Sequence, residues 1–234
     1  MSGYINGHPL VALYNLVEFL GWIVVGGLLV IRFNQNPDGV FHDIRVAAPD
    51  VVQLYTYLQV LQMMDVVFAA FGLIGSNLFI AFGQNSVRTL FALTSARLHK
   101  AYYPVFFVTL ICFTTVEIAR YGISFFKCIN CENSLPAKIL AEVRWNAFLV
   151  CYPLGASLEM VMHLEAVPVL QSMDPMPYSW TMPNMLNFAF NFSYLLIALP
   201  FIALYQFPIN YKYLLVKRAQ FYAGKNGSAE KKRQ

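Results

Sequence analysis

A tyrosine and a glutamate at helical spacing, Tyr152 and Glu159, are the side chains in this sequence best suited to chemistry. Seven residues make almost two turns of an α-helix, so both would project from nearly the same face, about 10 Å apart along the axis. Pro153 and Gly155 lie between them and predict a kink, which would open space beside the two polar groups. A carboxylate can act as a general base, and a phenol can donate a proton to a leaving oxygen. Such a pair could eliminate water beside a carbonyl, and it would serve a proton relay nearly as well.

Further charged side chains lie inside apolar stretches, where each is a candidate for function because a charge in lipid is costly. They are Glu18, Asp65, Arg88, Glu117, Arg120, Arg144 and, near the end of one stretch, His163 and Glu165. Glu117 and Arg120 are three residues apart on one helical face and could neutralise each other. Arg88 and Arg144 would each need an acidic partner. The candidates for that partner are Asp65, Glu18 and Glu159.

The composition indicates which class of protein must hold these groups. Of the 234 residues, 58% belong to the apolar and aromatic set and only 12% are charged, and the mean hydropathy is +0.53. A soluble domain carries about 25% charged residues, and this chain has too few charged residues to cover the surface of such a domain. Soluble single domains, disordered tails and nucleic-acid binders are therefore excluded. The chain is expected to be an integral membrane protein in contact with the lipid bilayer.

Segments of the length that a bilayer requires are the elements that must position these side chains. We predict an all-α integral membrane protein, a bundle of six transmembrane helices at about 10–31, 51–73, 78–96, 103–126, 139–167 and 186–207. The third segment is interrupted by Gln84, Asn85 and Arg88, and the fifth is longer than a bilayer needs, so it should tilt or protrude. The predicted division is a membrane domain over 1–209 and a basic cytosolic tail over 210–234.

The distribution of Lys and Arg predicts the orientation. The tail is basic, whereas the loop over 171–184 has no Lys or Arg; the tail contains Lys212, Lys217, Arg218, Lys225, Lys231, Lys232 and Arg233. With six spans, both termini would be cytosolic. Lys127 and Lys138 agree with that orientation, but four basic residues would lie on the far side: Arg32, Arg45, Arg97 and Lys100. The final Lys-Lys-Arg-Gln fits the dilysine pattern that returns membrane proteins to the endoplasmic reticulum.

Residues 144–159, Arg-Trp-Asn-Ala-Phe-Leu-Val-Cys-Tyr-Pro-Leu-Gly-Ala-Ser-Leu-Glu, resemble the signature of the 3-hydroxyacyl-CoA dehydratases of very-long-chain fatty acid elongation. That family is also called the protein tyrosine phosphatase-like proteins. Other segments match its motifs in the same order. They are Tyr14-Asn15 with Trp22, Gln84 with Arg88, Glu117-Ile-Ala-Arg120-Tyr121, and Tyr213 with Lys217-Arg218. The resemblance covers roughly residues 10 to 220.

This resemblance implies a six-span enzyme of the endoplasmic reticulum membrane that dehydrates a (3R)-3-hydroxyacyl-CoA to the trans-2-enoyl-CoA. The family's catalytic tyrosine and glutamate correspond to Tyr152 and Glu159, the first assisting departure of the hydroxyl and the second acting as the base. Site-supporting or substrate-binding candidates are Arg88, Glu117, Arg120, Tyr121, Arg144, Gln84 and Asp65. The chemistry requires no metal and no organic cofactor. The expected partners are the acyl-CoA substrate and the other elongation enzymes: the condensing enzyme, ketoacyl-CoA reductase and enoyl-CoA reductase.

The chain departs from the family pattern in two places, which makes it a divergent member. The family's usual Glu-x-x-His in the second span is Asp65-Val-Val-Phe68 here, and the usual Ser before the third-span arginine is Val87. These changes leave open a catalytically inactive relative that holds other elongation enzymes together as a scaffold. A transporter is a weaker alternative, since no symmetry between two halves is visible. A phosphatase would need an arginine six residues after a nucleophilic cysteine, and no cysteine here has that spacing.

Overall fold

The computed structural model describes residues 8–98 and 103–230, and its regular elements are helices, as the apolar segments predict. The helices in these residues are α1 (Pro9–Gln35), α2 (Pro37–Ala47), α3 (Pro49–Leu61), α4 (Met64–Ala70), α5 (Leu78–Leu93), α6 (Ser95–Leu98), α7 (Tyr103–Cys128), α8 (Leu135–Gln171) and α9 (Phe192–Glu230). The described residues contain no β-strand beyond one isolated bridge between Trp180 and Phe190. Lys100 and the basic run at 231–233, which entered the orientation and retrieval predictions, lie outside the described residues.

Five stretches of this structure are long and apolar enough to cross a membrane: Pro9–Gln35, Pro49–Ala70, Pro104–Cys128, Leu135–Gln171 and Phe192–Ala223. They contain all or most of the first, second, fourth, fifth and sixth predicted segments. The third predicted segment is divided, because Thr94 has non-helical dihedrals and α5 ends at Leu93. With 16 residues, α5 is about 24 Å long, shorter than the hydrocarbon layer of about 30 Å.

Prolines and one asparagine set the helix boundaries in the first third of the chain. Pro9, Pro37 and Pro49 each occupy the first helical position, where the missing N–H leaves no hydrogen bond unmade. The Asn36 side chain accepts a hydrogen bond from Gly39 N at 2.9 Å and caps α2. The polar connection between the first two predicted spans, residues 34–50, is therefore mostly helical.

Helix α7 lies at the centre of the bundle and packs against α1, α2 and α8. Large aromatic side chains fill the space around it; Trp22, Tyr55, Phe91 and Phe106 are all fully buried. Tyr55 contacts Trp22 and Phe106 edge-to-face, with ring centroids 6.0 and 6.1 Å apart. This packing fixes α1, α3, α5 and α7 relative to one another.

Helices α8 and α9 extend well beyond the thickness of a bilayer. They have 37 and 39 residues, so each is about 55 to 60 Å long. The start of α8 pairs with the end of α9: Arg218 donates to Trp145 O at 2.8 Å, and the Tyr222 hydroxyl donates to Glu142 Oε2 at 2.8 Å. The fifth segment is longer than predicted, and α9 continues far past the predicted end of the sixth at residue 207.

Candidate active site

Tyr152 and Glu159 both lie on α8, and the helix is unbroken through Pro153. Glu159 is only 9% exposed, and its Oε1 has no hydrogen-bond partner among the described residues. Tyr152 is half-buried against α9, where its ring stacks on Phe207 and Tyr211 with centroids 5.2 and 6.1 Å apart. The Glu159 side chain therefore faces the interior of the bundle, and the Tyr152 ring is held in an aromatic stack against α9.

Gly155 allows α8 to approach α7 between these two side chains. A Cβ atom at this position would lie 3.3 Å from Cε1 of Phe113 and 3.4 Å from Cβ of Cys112. Such contacts are tighter than most that a real side chain makes, so glycine is the residue that fits this crossing without displacement. The glycine of the Tyr-Pro-x-Gly run thus brings Glu159 against the central helix.

A network of alternating charges joins three helices of the bundle, α4, α5 and α7. On α7, Glu117 pairs with Arg88 of α5 and, across one turn, with Arg120, whose Nη1 lies 3.2 Å from Oε2. Arg120 also pairs with Asp65 of α4. The predicted pair of Glu117 with Arg120 is confirmed. The partner of Arg88 is Glu117 and not one of the three carboxylates suggested by the sequence.

Tyr121 joins the same network to the first helix. Its hydroxyl donates to Asp65 Oδ2 at 3.1 Å, receives a hydrogen bond from Arg120 Nη2 at 2.9 Å, and lies 3.1 Å from the hydroxyl of Tyr14. Phe68 packs its ring edge-to-face on Tyr14 at 5.1 Å. The short side chain of Asp65 is therefore the anionic partner of Arg120, while Phe68 contributes only packing.

Arg88 lies at the crossing of α7 and α8. Its guanidinium lies over the ring of Phe113 on α7, 4.7 Å from the centroid. The same ring is 3.3 Å from the position that a Cβ atom on Gly155 of α8 would occupy. The guanidinium and the helix crossing beside Glu159 therefore share Phe113 as a neighbour.

Two of the candidate residues are not brought into this cluster. Gln84 is exposed on α5. Arg144 is half-buried near the start of α8, with its guanidinium 5.4 Å from the ring centroid of Trp145. Eight residues separate it from Tyr152, which is about 12 Å along the helix.

One hydrogen bond next to Glu159 was not predicted from the sequence. Ser95 Oγ lies 2.7 Å from Nδ1 of His163, and both residues are buried. His163 was noted only as a charged group near the end of a segment, and Ser95 was not considered. The available signal was the position of His163, four residues after Glu159 and on the same helical face.

The cluster is equipped for proton transfer. It offers a buried carboxylate, a phenol on the same helix and a nearby guanidinium, inside a bundle that keeps most water away. In the described parts of the chain, no three His, Cys, Asp or Glu side chains converge to hold a metal ion.

A family model described as Protein tyrosine phosphatase-like protein, PTPLA, matches residues 59–224, which include Tyr152, Glu159 and every other member of the cluster on α4 to α8. The chain belongs to this family. The resemblance predicted from residues 144–159 and the shorter motifs is confirmed. No solved structure matches the chain.

Relatives within the PTPLA family have names that specify a reaction. The chain is 28% identical to Very-long-chain (3R)-3-hydroxyacyl-CoA dehydratase of Danio rerio over 226 residues, 93% of this chain and 58% of that protein. It is 29% identical to the protein of that name from Gallus gallus, covering 89% of this chain and 56% of the relative. Very-long-chain (3R)-3-hydroxyacyl-CoA dehydratase PASTICCINO 2 of Arabidopsis thaliana is 29% identical, with 93% of this chain and 96% of that protein covered. The chain spans a little over half the length of the first two relatives.

Proposed function

We propose that this protein is a hydro-lyase that dehydrates a (3R)-3-hydroxyacyl-CoA to the trans-2-enoyl-CoA in fatty acid elongation. The observation that carries the proposal is the buried carboxylate of Glu159 on the same helix as Tyr152, within the segment that matches the PTPLA family. The names of the relatives give the substrate class, and the site supplies the two groups that this elimination needs.

In the proposed reaction Glu159 is the base. Its carboxylate takes a proton from C2, which the thioester carbonyl makes acidic, and the electrons of the C2–H bond form the C2=C3 double bond. The C3–O bond breaks as Tyr152 donates its phenolic proton to the departing hydroxyl, which leaves as water. Glu159 has then gained the C2 proton and Tyr152 has lost one, so proton exchange with water restores both groups. The elimination is redox-neutral and requires no redox partner.

The arginines have separate proposed roles. Arg88 and Arg120, tied to Glu117 and Asp65, hold α4, α5 and α7 together and keep positive charge beside Glu159. Arg144 lies about 12 Å from Tyr152 along α8, on the part of the helix that pairs with the end of α9. We assign it to the phosphate-bearing part of CoA, which stays outside the hydrocarbon layer.

The proposed topology retains six spans in the endoplasmic reticulum membrane, with both termini cytosolic. The third span is assigned to α5, about 24 Å long, with the short α6 continuing it after the break at Thr94. The membrane domain comprises residues 1–209, followed by the basic cytosolic tail over 210–234. Proposed partners are the bilayer, the acyl-CoA, and the condensing, ketoacyl-CoA reductase and enoyl-CoA reductase enzymes.

The test is turnover of a long-chain (3R)-3-hydroxyacyl-CoA by the purified protein in detergent, beside Glu159→Gln and Tyr152→Phe. We expect the unmodified protein to release the trans-2-enoyl-CoA and both variants to fold but lose activity by roughly 100-fold or more. Met162→Leu, a buried and volume-conserving change next to the site, is the matched control and should stay active.

Equal inactivity of all these proteins, together with copurification of elongation enzymes, would instead support the scaffold. That alternative rests on the altered second span. The pairing of Asp65 with Arg120 weakens the scaffold alternative, because a carboxylate at that position still forms an ion pair.

A further inference from the structure

A buried serine and histidine lie directly behind the proposed base. Ser95 begins α6, and its Oγ lies 2.7 Å from Nδ1 of His163 on α8. The ring of Phe91 meets the imidazole edge-to-face with centroids 5.5 Å apart. His163 is 1% exposed, so its ring is fixed by a hydrogen bond on one edge and by packing on one face.

The free edge of that imidazole is directed at Glu159. Nε2 of His163 lies 3.9 Å from Oε1 of Glu159, one turn earlier on the same helix. Both atoms are buried and have no hydrogen-bond partner among the described residues. A gap of 3.9 Å exceeds a direct hydrogen bond, but a small rotation of the glutamate side chain closes it.

The remaining exposed area of Glu159 lies elsewhere on its side chain. The side chain is 12% exposed, yet Oε1 is buried. The exposed area therefore belongs to other atoms of the side chain, and the buried Oε1 is the oxygen nearest His163.

We propose that Ser95 and His163 form a positioning pair that holds the carboxyl group of Glu159 in the orientation for proton transfer at C2. The inference rests on the proposed function, because it takes Glu159 to be the base. A glutamate has enough rotatable bonds to turn its carboxyl group away from a substrate. A contact at Oε1 from its own helix limits this freedom, and a misplacement of about 1 Å can cost on the order of 100-fold in rate.

The test compares three substitutions of His163 in the full-length protein. His163→Leu removes both ring nitrogens and should lower kcat by roughly 10- to 100-fold with little change in KM. His163→Gln places an amide nitrogen near the position of Nε2 and should recover most of that loss. His163→Asn keeps a polar atom only near the position of Nδ1, so it should remain as slow as the leucine variant.

This order separates positioning from a merely structural role. If the serine–histidine bond only stabilised the fold, Asn would restore activity better than Gln, and thermal stability would follow activity. That result, or full activity of His163→Leu, would overturn the inference. Ser95→Ala should lower kcat by a smaller factor, about 3- to 10-fold, because the ring keeps its packing against Phe91.

The double variant Glu159→Gln/His163→Leu distinguishes failure of this inference from failure of the proposed function. If His163 acts through Glu159, the second change adds no loss to that of Glu159→Gln alone. Losses that multiply would contradict positioning while leaving Glu159 as the base. Full activity of Glu159→Gln would instead refute the proposed function itself.

Discussion

Replacing Glu117 by glutamine should destabilise the bundle more than any other single loss of charge in it. Glu117 is fully buried and is the shared partner of Arg88 and Arg120. Glutamine preserves the volume and one acceptor oxygen but removes the negative charge. Two guanidinium groups, each about a fifth to a quarter exposed, then face each other without the anion between them.

The size of this effect follows from the burial of the pair. Breaking a buried ion pair by removing one partner costs about 3–5 kcal/mol, because the remaining charge stays desolvated. For a chain of this size, each kcal/mol shifts the unfolding midpoint by about 2–4 °C. We therefore expect Glu117→Gln to lower Tm by roughly 6–20 °C in detergent.

Thermal unfolding of the purified variants, followed by size-exclusion chromatography after heating at one fixed rate, measures this shift. Asp50→Asn is the matched control, since it also breaks a carboxylate–arginine pair, but one whose side chains are 36% and 40% exposed. Water screens that pair, so its loss should move Tm far less. Equal shifts for the two variants would refute the argument that burial of the network stabilises the fold.

Two further changes test other parts of the site. Gly155→Val should lower both Tm and kcat and reduce the free energy of unfolding by about 1–3 kcal/mol, because the valine side chain would displace Phe113 and Cys112 from α8. Gly27→Ala is the control, since Gly27 has open space around it. Unchanged melting of Gly155→Val would contradict the close crossing. Arg144→Gln should raise KM for the acyl-CoA by roughly 10-fold and leave KM unchanged for the corresponding pantetheine thioester, which lacks the nucleotide phosphates. An equal rise with both substrates would place Arg144 away from the nucleotide.

The sequence was most informative where a signal is local. Continuous apolar runs predicted α1, α7 and α8 closely, because a span in lipid must satisfy its own backbone hydrogen bonds. The pairing of Glu117 with Arg120 was also predictable, since three residues place them on one face of a single helix. The weak third segment is the one that the structure divides, at Thr94.

Contacts between distant residues could not be predicted in the same way. Arg88 pairs with a residue 29 positions away, and Arg120 with one 55 positions away. Several carboxylates were equally plausible partners until the helices were placed. Ser95 and His163 are 68 positions apart in the sequence, and their contact depends on the packing of α6 against α8. The helical residues 37–47 were missed because the two prolines and the polar side chains nearby resemble a loop.

The central claim, that Glu159 exchanges a proton with C2 of the substrate, is tested most directly by the reverse reaction in D2O. The purified protein is incubated with a long-chain trans-2-enoyl-CoA, and the product is analysed by mass spectrometry. We predict (3R)-3-hydroxyacyl-CoA with one deuterium bonded to carbon at C2, and no detectable label with Glu159→Gln. Deuterium incorporation by Glu159→Gln at the rate of the unmodified protein would contradict the assignment.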